Sequence, residues 1–182
     1  MTLLPFLGFT FAGAVGWTLV EYLLHRFGAH EKPNKLSFRK QHLSHHGKAN
    51  WFAPWTEKLR AALPAVVGVL AGSWLLVGPS LAVAFTVGFA SMYLAYEVIH
   101  RRLHTHPPRG AYSTLLRKHH FHHHFHNPKA NHGVTSPVWD WVFGSAEEAA
   151  VVRVPRKLAP LWLTDAGHPG FELRGAPRRP AA

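Results

Sequence analysis

Long apolar blocks alternate along this chain with basic, histidine-rich blocks. Residues 3–24 form an apolar run whose single charge, Glu21, lies near its end. About 20 helical residues cross the hydrocarbon core of a bilayer, so this run is long enough to span. A second stretch, residues 61–99, has Glu97 as its only charge and is too long for one crossing. Gly78-Pro79-Ser80 near its middle predicts a turn that divides it into arms at 61–77 and 81–99. Pro64 then falls in the first turn of its arm, where proline is tolerated. Each arm is slightly short, so tilt or local thinning of the bilayer is expected.

The pattern predicts an all-α integral membrane protein with about three transmembrane helices and a helical cap. Residues 1–145 would be one membrane domain, with the cap built from 25–60 and 100–145. Residues 146–182 are rich in Pro and Arg with weak periodicity, and are expected as an extended wrap or a partly ordered end. A cleaved signal peptide is disfavoured, because no positive region precedes the first apolar run and a histidine motif follows it without a break.

Charge placement gives the orientation. The net charge is +11, yet no Lys or Arg precedes Arg26 and none occurs between positions 61 and 100. A nucleic-acid binder would show a basic face on a soluble fold, whereas here bare apolar blocks alternate with basic ones. The positive-inside rule accounts for this, and it predicts both basic zones on the cytoplasmic side. No nucleic-acid partner is expected. The chain has no cysteine, which excludes disulfides, thiolate zinc sites and cysteine-ligated iron–sulfur clusters.

Sixteen histidines are the outlier, and fifteen of them lie between His25 and His132. His25 and His30 close the first membrane helix, and His42, His45 and His46 follow. His100 and His104 close the third helix. A dense run then holds His119, His120, His122, His123, His124 and His126, with His132 beyond it. Residues four apart share a helix face, so His100 and His104 can ligate one ion. His42, His45 and His46 share a face in the same way, as do His120, His123 and His124. His25 and His30 do not, since five residues rotate about 140° past a full turn. Gly28 loosens the helix there, and His30 is expected to approach from a helix end or loop.

Neutral imidazole suits iron, zinc and copper. One structural zinc ion needs four ligands, so eight to ten imidazoles predict two ions. Glu21 and Glu97 sit four and three residues before His25 and His100, at the membrane boundary, where an ionisable group is rarely accidental. They are expected to hydrogen-bond imidazole N–H groups, with direct ligation as the alternative. His106, His126 and His168 stay outside the predicted site, since an isolated histidine is usually a surface or satisfied residue. Spacing alone allows two registers in the dense run, 119/122/123 or 120/123/124.

These clusters resemble the fatty acid hydroxylase/sterol desaturase superfamily, and most closely its fatty acid 2-hydroxylase branch. The matching stretches are Glu21 through His30, His42-Leu-Ser-His45-His46, His100-Arg-Arg-Leu-His104, and Lys118 through Ser145 with its Gly133-Val-Thr-Ser and Trp139-Asp140 segment. The likeness covers roughly residues 17–145. In that family paired histidines stand a short fixed distance before the Gly-Val-Thr-Ser-like segment, which favours His123 and His124. The implied ligand set is His25, His30, His42, His45, His46, His100, His104, His120, His123 and His124, with His119 and His122 as weaker candidates.

The resemblance also implies a nonhaem two-iron oxygenase using O2, with zinc able to occupy the site, and a cytosolic metal centre that hydroxylates a lipid C–H bond, most simply on a fatty acyl chain. A carotenoid or sterol hydroxylase or desaturase of the same superfamily is the nearest alternative. An external electron donor of ferredoxin or cytochrome b5 type is expected. Arg101, Arg102, Arg109, Arg117 and Lys118 are the predicted docking residues, with anionic lipid headgroups as the competing partner. A membrane metal transporter would need ionisable ligands lining a mid-membrane path, whereas these histidines gather at one interface. A zinc hydrolase would carry a His-Glu-x-x-His helix, which the sequence lacks.

Overall fold

The computed structural model describes residues 2–31 and 35–175. Among them, three helical stretches are long and apolar enough to cross a membrane: Leu3–Glu31, Trp55–Val77 and Pro79–Thr105, of 29, 23 and 27 residues. The first comprises α1 (Leu3–Leu23) continued by a π-helical segment (Leu24–Glu31). After it come α2 (Ser37–Gly47), α3 (Trp55–Val77), α4 (Pro79–Thr105), α5 (Ala111–Phe125) and the short α6 (Val138–Val142).

The expected hairpin is present, with Gly78 alone separating α3 from α4. Its arms are longer than the apolar run. Helix α3 begins at Trp55 rather than 61, and α4 continues to Thr105 rather than 99. The added turns carry Glu57, Lys58, Arg60, Arg101 and Arg102, which hydropathy cannot see but a helix leaving the bilayer accommodates. The expected shortness of the arms is therefore corrected. Pro64 is corrected too, since it sits inside α3 rather than in its first turn. Without an N–H it cannot bond the carbonyl of Arg60, four residues back.

Helices α1 and α4 pack backbone to backbone. A Cβ on Gly13 would meet the Phe85 carbonyl oxygen at 1.9 Å, and one on Gly88 would meet that of Thr10 at 1.8 Å. Small residues at such a crossing let membrane helices approach closely. This contact sets α1 and α4 side by side, so that His25 and His100 leave the membrane next to each other. Helix α3 buries no residue completely, and a cleft opens between it and the α1–α4 pair.

Within the C-terminal segment, expected as an extended wrap or a partly ordered end, residues 152–174 are folded. Strands β1 (Val152–Pro155) and β2 (Phe171–Arg174) pair in parallel, joined through a 3-10 turn (Arg156–Leu158) and α7 (Leu161–Ala166). Val152 and Val154 of β1 are buried while Arg153 faces out, the alternation that a half-buried strand requires. Together with Leu163 and Phe171 they cover Phe121 and Phe125 on the back of α5. The front of α5 carries the histidines.

Candidate metal centre

Four elements bring ten histidines together in two groups of five. One group is His25, His30, His42, His46 and His123; the other is His45, His100, His104, His120 and His124. Within each, one ring nitrogen per residue lies within 4.8 Å of all the others. His119 and His122 join neither group. His119 Nε2 donates to Asp140 Oδ2 at 2.9 Å, and His122 Nε2 bonds Glu147 Oε2 at 2.8 Å. His106, His126 and His168 also lie outside both groups.

Local helix geometry explains the convergence. His25 and His30 were expected on different faces, yet their ring centroids are 5.2 Å apart. The helix widens to a π-helix over Leu24–Glu31, and with i→i+5 bonding, residues five apart stack one turn above each other. Helices α2 and α5 each divide their histidines. His42 and His46 of α2 enter the first group while His45 enters the second. On α5, His120 and His124 enter the second group and His123 the first. Each triplet thus points toward the site from one helix side, but its members are divided between two groups instead of serving one ion together.

The nitrogens are spaced for a shared ion. In the first group Nε2 of His42 lies 3.1 Å from that of His25 and 2.8 Å from those of His30 and His46. His123 Nε2 lies 3.1 Å from His30 and 3.2 Å from His46. In the second group His104 Nε2 is 3.1 Å from His45 and 2.8 Å from His120. Metal–imidazole bonds of about 2.0–2.1 Å put two ligand nitrogens roughly 2.9–3.4 Å apart.

Tautomers sharpen the fit. His25 Nδ1 donates to the His132 carbonyl, His123 Nδ1 to Ala130 at 2.7 Å, and His45 Nδ1 to Trp51 at 2.8 Å. A neutral imidazole carries one N–H, so each of these Nε2 atoms presents a lone pair to its group. His100 Nε2 and both ring nitrogens of His124 are buried with no hydrogen-bond partner. Converging lone pairs and orphaned buried nitrogens are what a cation would satisfy.

Burial also keeps the rings neutral. It pushes His45 down to about 4, with the nearby Lys58 charge acting in the same direction against the Trp51 hydrogen bond. It pushes His46 down to about 3, helped by His30 and His45. Burial and neighbouring imidazoles likewise hold His42, His120, His123 and His124 well below the usual histidine range. At pH 7 these lone pairs are free for metal.

With that geometry in place, comparison with known proteins decides the family. The fatty acid hydroxylase family profile matches residues 10–145. The chain belongs to this family. It is 33% identical over 139 residues to the Arabidopsis thaliana dihydroceramide fatty acyl 2-hydroxylase FAH2, covering 73% of this chain and 58% of the relative. It is 34% identical over 146 residues to the Schizosaccharomyces pombe ceramide very long chain fatty acid hydroxylase scs7, covering 75% and 42%. The chain thus spans about half the length of the curated relatives it matches. Among solved structures it resembles full-length scs7p, of which only the hydroxylase domain is visible, with TM-score 0.66 and 28% identity over 81% of this chain and 58% of that one.

In this fatty acid hydroxylase family member, the residues that hold the first histidine group come largely from a loop. Asp140, wholly buried, accepts from His132 N and Gly133 N at 2.8 and 2.7 Å, from His119 Nε2, and from Ser145 Oγ at 2.7 Å. It thereby fixes the turn whose Ala130 and His132 carbonyls hold His123 and His25. Glu21 does not meet an imidazole, contrary to expectation. Its carboxylate accepts from Val134 N, Thr135 N and Thr135 Oγ1 at 2.6, 3.0 and 2.5 Å, pinning the same loop to α1. Glu97 pairs instead with Lys58. Sequence reasoning assigned no role to His132, Ala130 or Asp140. The Asp140 position was visible only as part of a motif, and backbone carbonyls leave no residue-type signal.

Proposed function

We propose that this chain is a membrane-bound, O2-dependent hydroxylase acting on a lipid acyl chain, with an iron ion held by each histidine group. The observation that carries this reading is a cavity of about 520 Å³ that is bordered by both groups and extends into the membrane-spanning region. His25, His42, His45 and His100 line its upper end, and Trp17 and Phe89 its depth. Phe89 lies eleven residues before His100 on α4, roughly 16 Å down the helix axis. A slot of that depth and apolarity accepts an alkyl chain from the bilayer and keeps water from the oxidised carbon.

Two irons would supply the reduction of dioxygen and the oxidation of a C–H bond. Imidazole binds zinc as readily, but zinc has no redox chemistry, so a zinc-loaded chain would hold its fold without turnover. The protein supplies ten neutral imidazoles, three of which, His45, His123 and His25, are oriented by the carbonyls of Trp51, Ala130 and His132. Lys58 and Glu97, paired on the cavity wall, offer a donor and an acceptor to the polar end of a substrate. The names of the relatives, fatty acyl and ceramide hydroxylases, favour a fatty acyl chain. Electrons come from a ferredoxin- or cytochrome b5-like donor, and the basic cap faces the cytoplasm under the positive-inside rule.

The test compares membranes with and without the gene by lipid mass spectrometry, alongside oxygen uptake by iron- and zinc-loaded protein. The reading expects hydroxylated acyl chains that depend on the gene, and uptake with iron only. Unchanged lipids, or equal activity with zinc, would overturn it.

A further inference from the structure

We propose that residues 133–144 form an in-plane membrane anchor, with α6 lying at the headgroup–acyl boundary against α1. Three observations carry this. The first is depth. Trp139 Nε1 donates to Thr18 Oγ1 at 2.9 Å, and the Phe143 ring stacks on Tyr22 with centroids 5.3 Å apart. Thr18 and Tyr22 belong to the first membrane span, Leu3–Glu31. Thr18 is seven residues before His25, about 10 Å down the axis from the histidine groups. The start of α5 hangs at a similar level: the Tyr112 hydroxyl donates to the Thr135 carbonyl at 2.8 Å, and Thr135 bonds Glu21 of α1.

The second observation is chemistry. Val138, Trp141 and Val142 share the outer face of α6, spaced i, i+3, i+4. They are 44%, 55% and 62% exposed, with Phe143 at 49% and Tyr112 at 57%. The exposed apolar residues of α1 span the same range, from 36% at Leu23 through 54% at Leu7 to 80% at Leu4. The third is charge. From Gly133 to Ser145 the only acidic or basic residue is Asp140, and it is fully buried. A patch that is apolar, rich in Trp and aromatic rings, and free of outward charge matches the belt that membrane proteins place at the lipid–water interface.

The occupant is lipid rather than a soluble partner, because the patch runs on from the lipid-facing surface of α1 at the depth of Thr18. Anchoring α6 in this way also fixes the loop whose carbonyls hold His25 and His123. The bilayer thus becomes part of what positions the first histidine group.

The chain has no cysteine, so single-cysteine spin labels can be placed cleanly on the whole 182-residue chain in phosphatidylcholine nanodiscs. Leu7→Cys reports the lipid-facing side of α1 and Lys129→Cys the exposed cap. Val142→Cys tests the proposal. Collisions with O2, which partitions into lipid, and with a water-soluble nickel chelate are compared by power saturation. The O2-to-nickel ratio at 142 should match that at 7 and exceed that at 129 several-fold. A ratio matching position 129 would put α6 in water, and spin–spin broadening at 142 would give the patch to a second copy; either overturns the anchor. As a check without labels, Trp141→Phe should remove a shallow component of fluorescence quenching by brominated lipids. Unchanged quenching would count against the proposal.

Discussion

His45 and His46 are adjacent in the chain, yet their rings serve different groups: His46 Nε2 lies 2.8 Å from that of His42, and His45 Nε2 lies 3.1 Å from that of His104. If each group holds one ion, His45→Ala and His46→Ala should each lower iron from about two per chain toward one. Pairs then become diagnostic. His45→Ala with His120→Ala strikes one group twice and should leave about one ion, whereas His45→Ala with His123→Ala should leave almost none. Elemental analysis of iron-loaded protein measures this. Equal losses from the two double variants would sink the interleaved arrangement.

The Asp140 carboxylate touches no imidazole of either group, but it sets the loop that orients His25 and His123. Asp140→Asn keeps the shape and weakens the anchoring of two backbone N–H groups and His119. A change behind the ligands typically costs about 10–100-fold in metal affinity. The loss should fall on the first group alone, read as one fast and one unchanged phase of iron release to a chelator. Two equally accelerated phases would mean that the aspartate supports the whole cap instead.

Buried neutral histidines make the metal-free protein acid-sensitive. His45 and His46 are held near 4 and 3 in the fold, below the unfolded value of about 6.5. The unfolded chain therefore binds more protons between those limits. Stability of the apo protein is full above about pH 6.5 and falls as pH drops toward 4. A second consequence follows at pH 7: metal finds imidazoles already deprotonated, so binding should release few protons. Calorimetry in buffers of different ionisation heat should give nearly the same binding enthalpy. A strong buffer dependence would show that the free groups are protonated.

The histidine motifs were legible because helical spacing turns i, i+3 and i+4 into neighbours, and because four spaced clusters, two of them at the ends of membrane helices, point to one site where the dense run around His123 alone would not. Three features of the site were not legible. Spacing places His25 and His30 apart in an α-helix, and no residue pattern announced the π-helical segment that reunites them. The division of each triplet between two groups depends on how four elements are packed, which begins with the Gly13–Gly88 crossing rather than with the motifs. The supporting carbonyls of Trp51, Ala130 and His132 belong to the backbone and could not be read as residue types. The helix ends at Trp55 and Thr105 were missed because the added turns are charged and fall outside the apolar runs, and the four-residue strands because a periodicity argument needs more residues than they contain.

The Gly13–Gly88 crossing itself can be tested. A methyl at either position would sit under 2 Å from a backbone oxygen of the facing helix, and overpacking of this kind costs about 1–3 kcal/mol. Gly88→Ala should lower the melting temperature in detergent and loosen both histidine groups together, since the π-helical continuation of α1 carries His25 and His30 of the first group and α4 carries His100 and His104 of the second. Gly8→Ala, with nothing within 4 Å, should be neutral. If Gly88→Ala melts like the parent, the helices tolerate a wider crossing and the convergence of His25 with His100 rests elsewhere.

The cap cations separate into two kinds. Arg101, Arg102 and Arg109 are exposed, but Arg117, predicted from sequence as a docking residue, is only 4% exposed. It donates to the carbonyls of His106 and Arg102 at 2.9 and 2.8 Å and to Ser113. Arg117→Ala should therefore destabilise the fold, since each carbonyl left unpaired costs about 1–3 kcal/mol. Arg101→Glu with Arg102→Glu should instead leave metal content intact and slow turnover driven by an acidic electron carrier. The gap between variant and parent should narrow as salt rises, because screening removes the steering in both. Stopped-flow reduction of the iron-loaded protein by a ferredoxin across a salt series reads this directly. Rates that ignore both salt and charge reversal would assign these arginines to lipid headgroups and move the docking surface elsewhere on the cap.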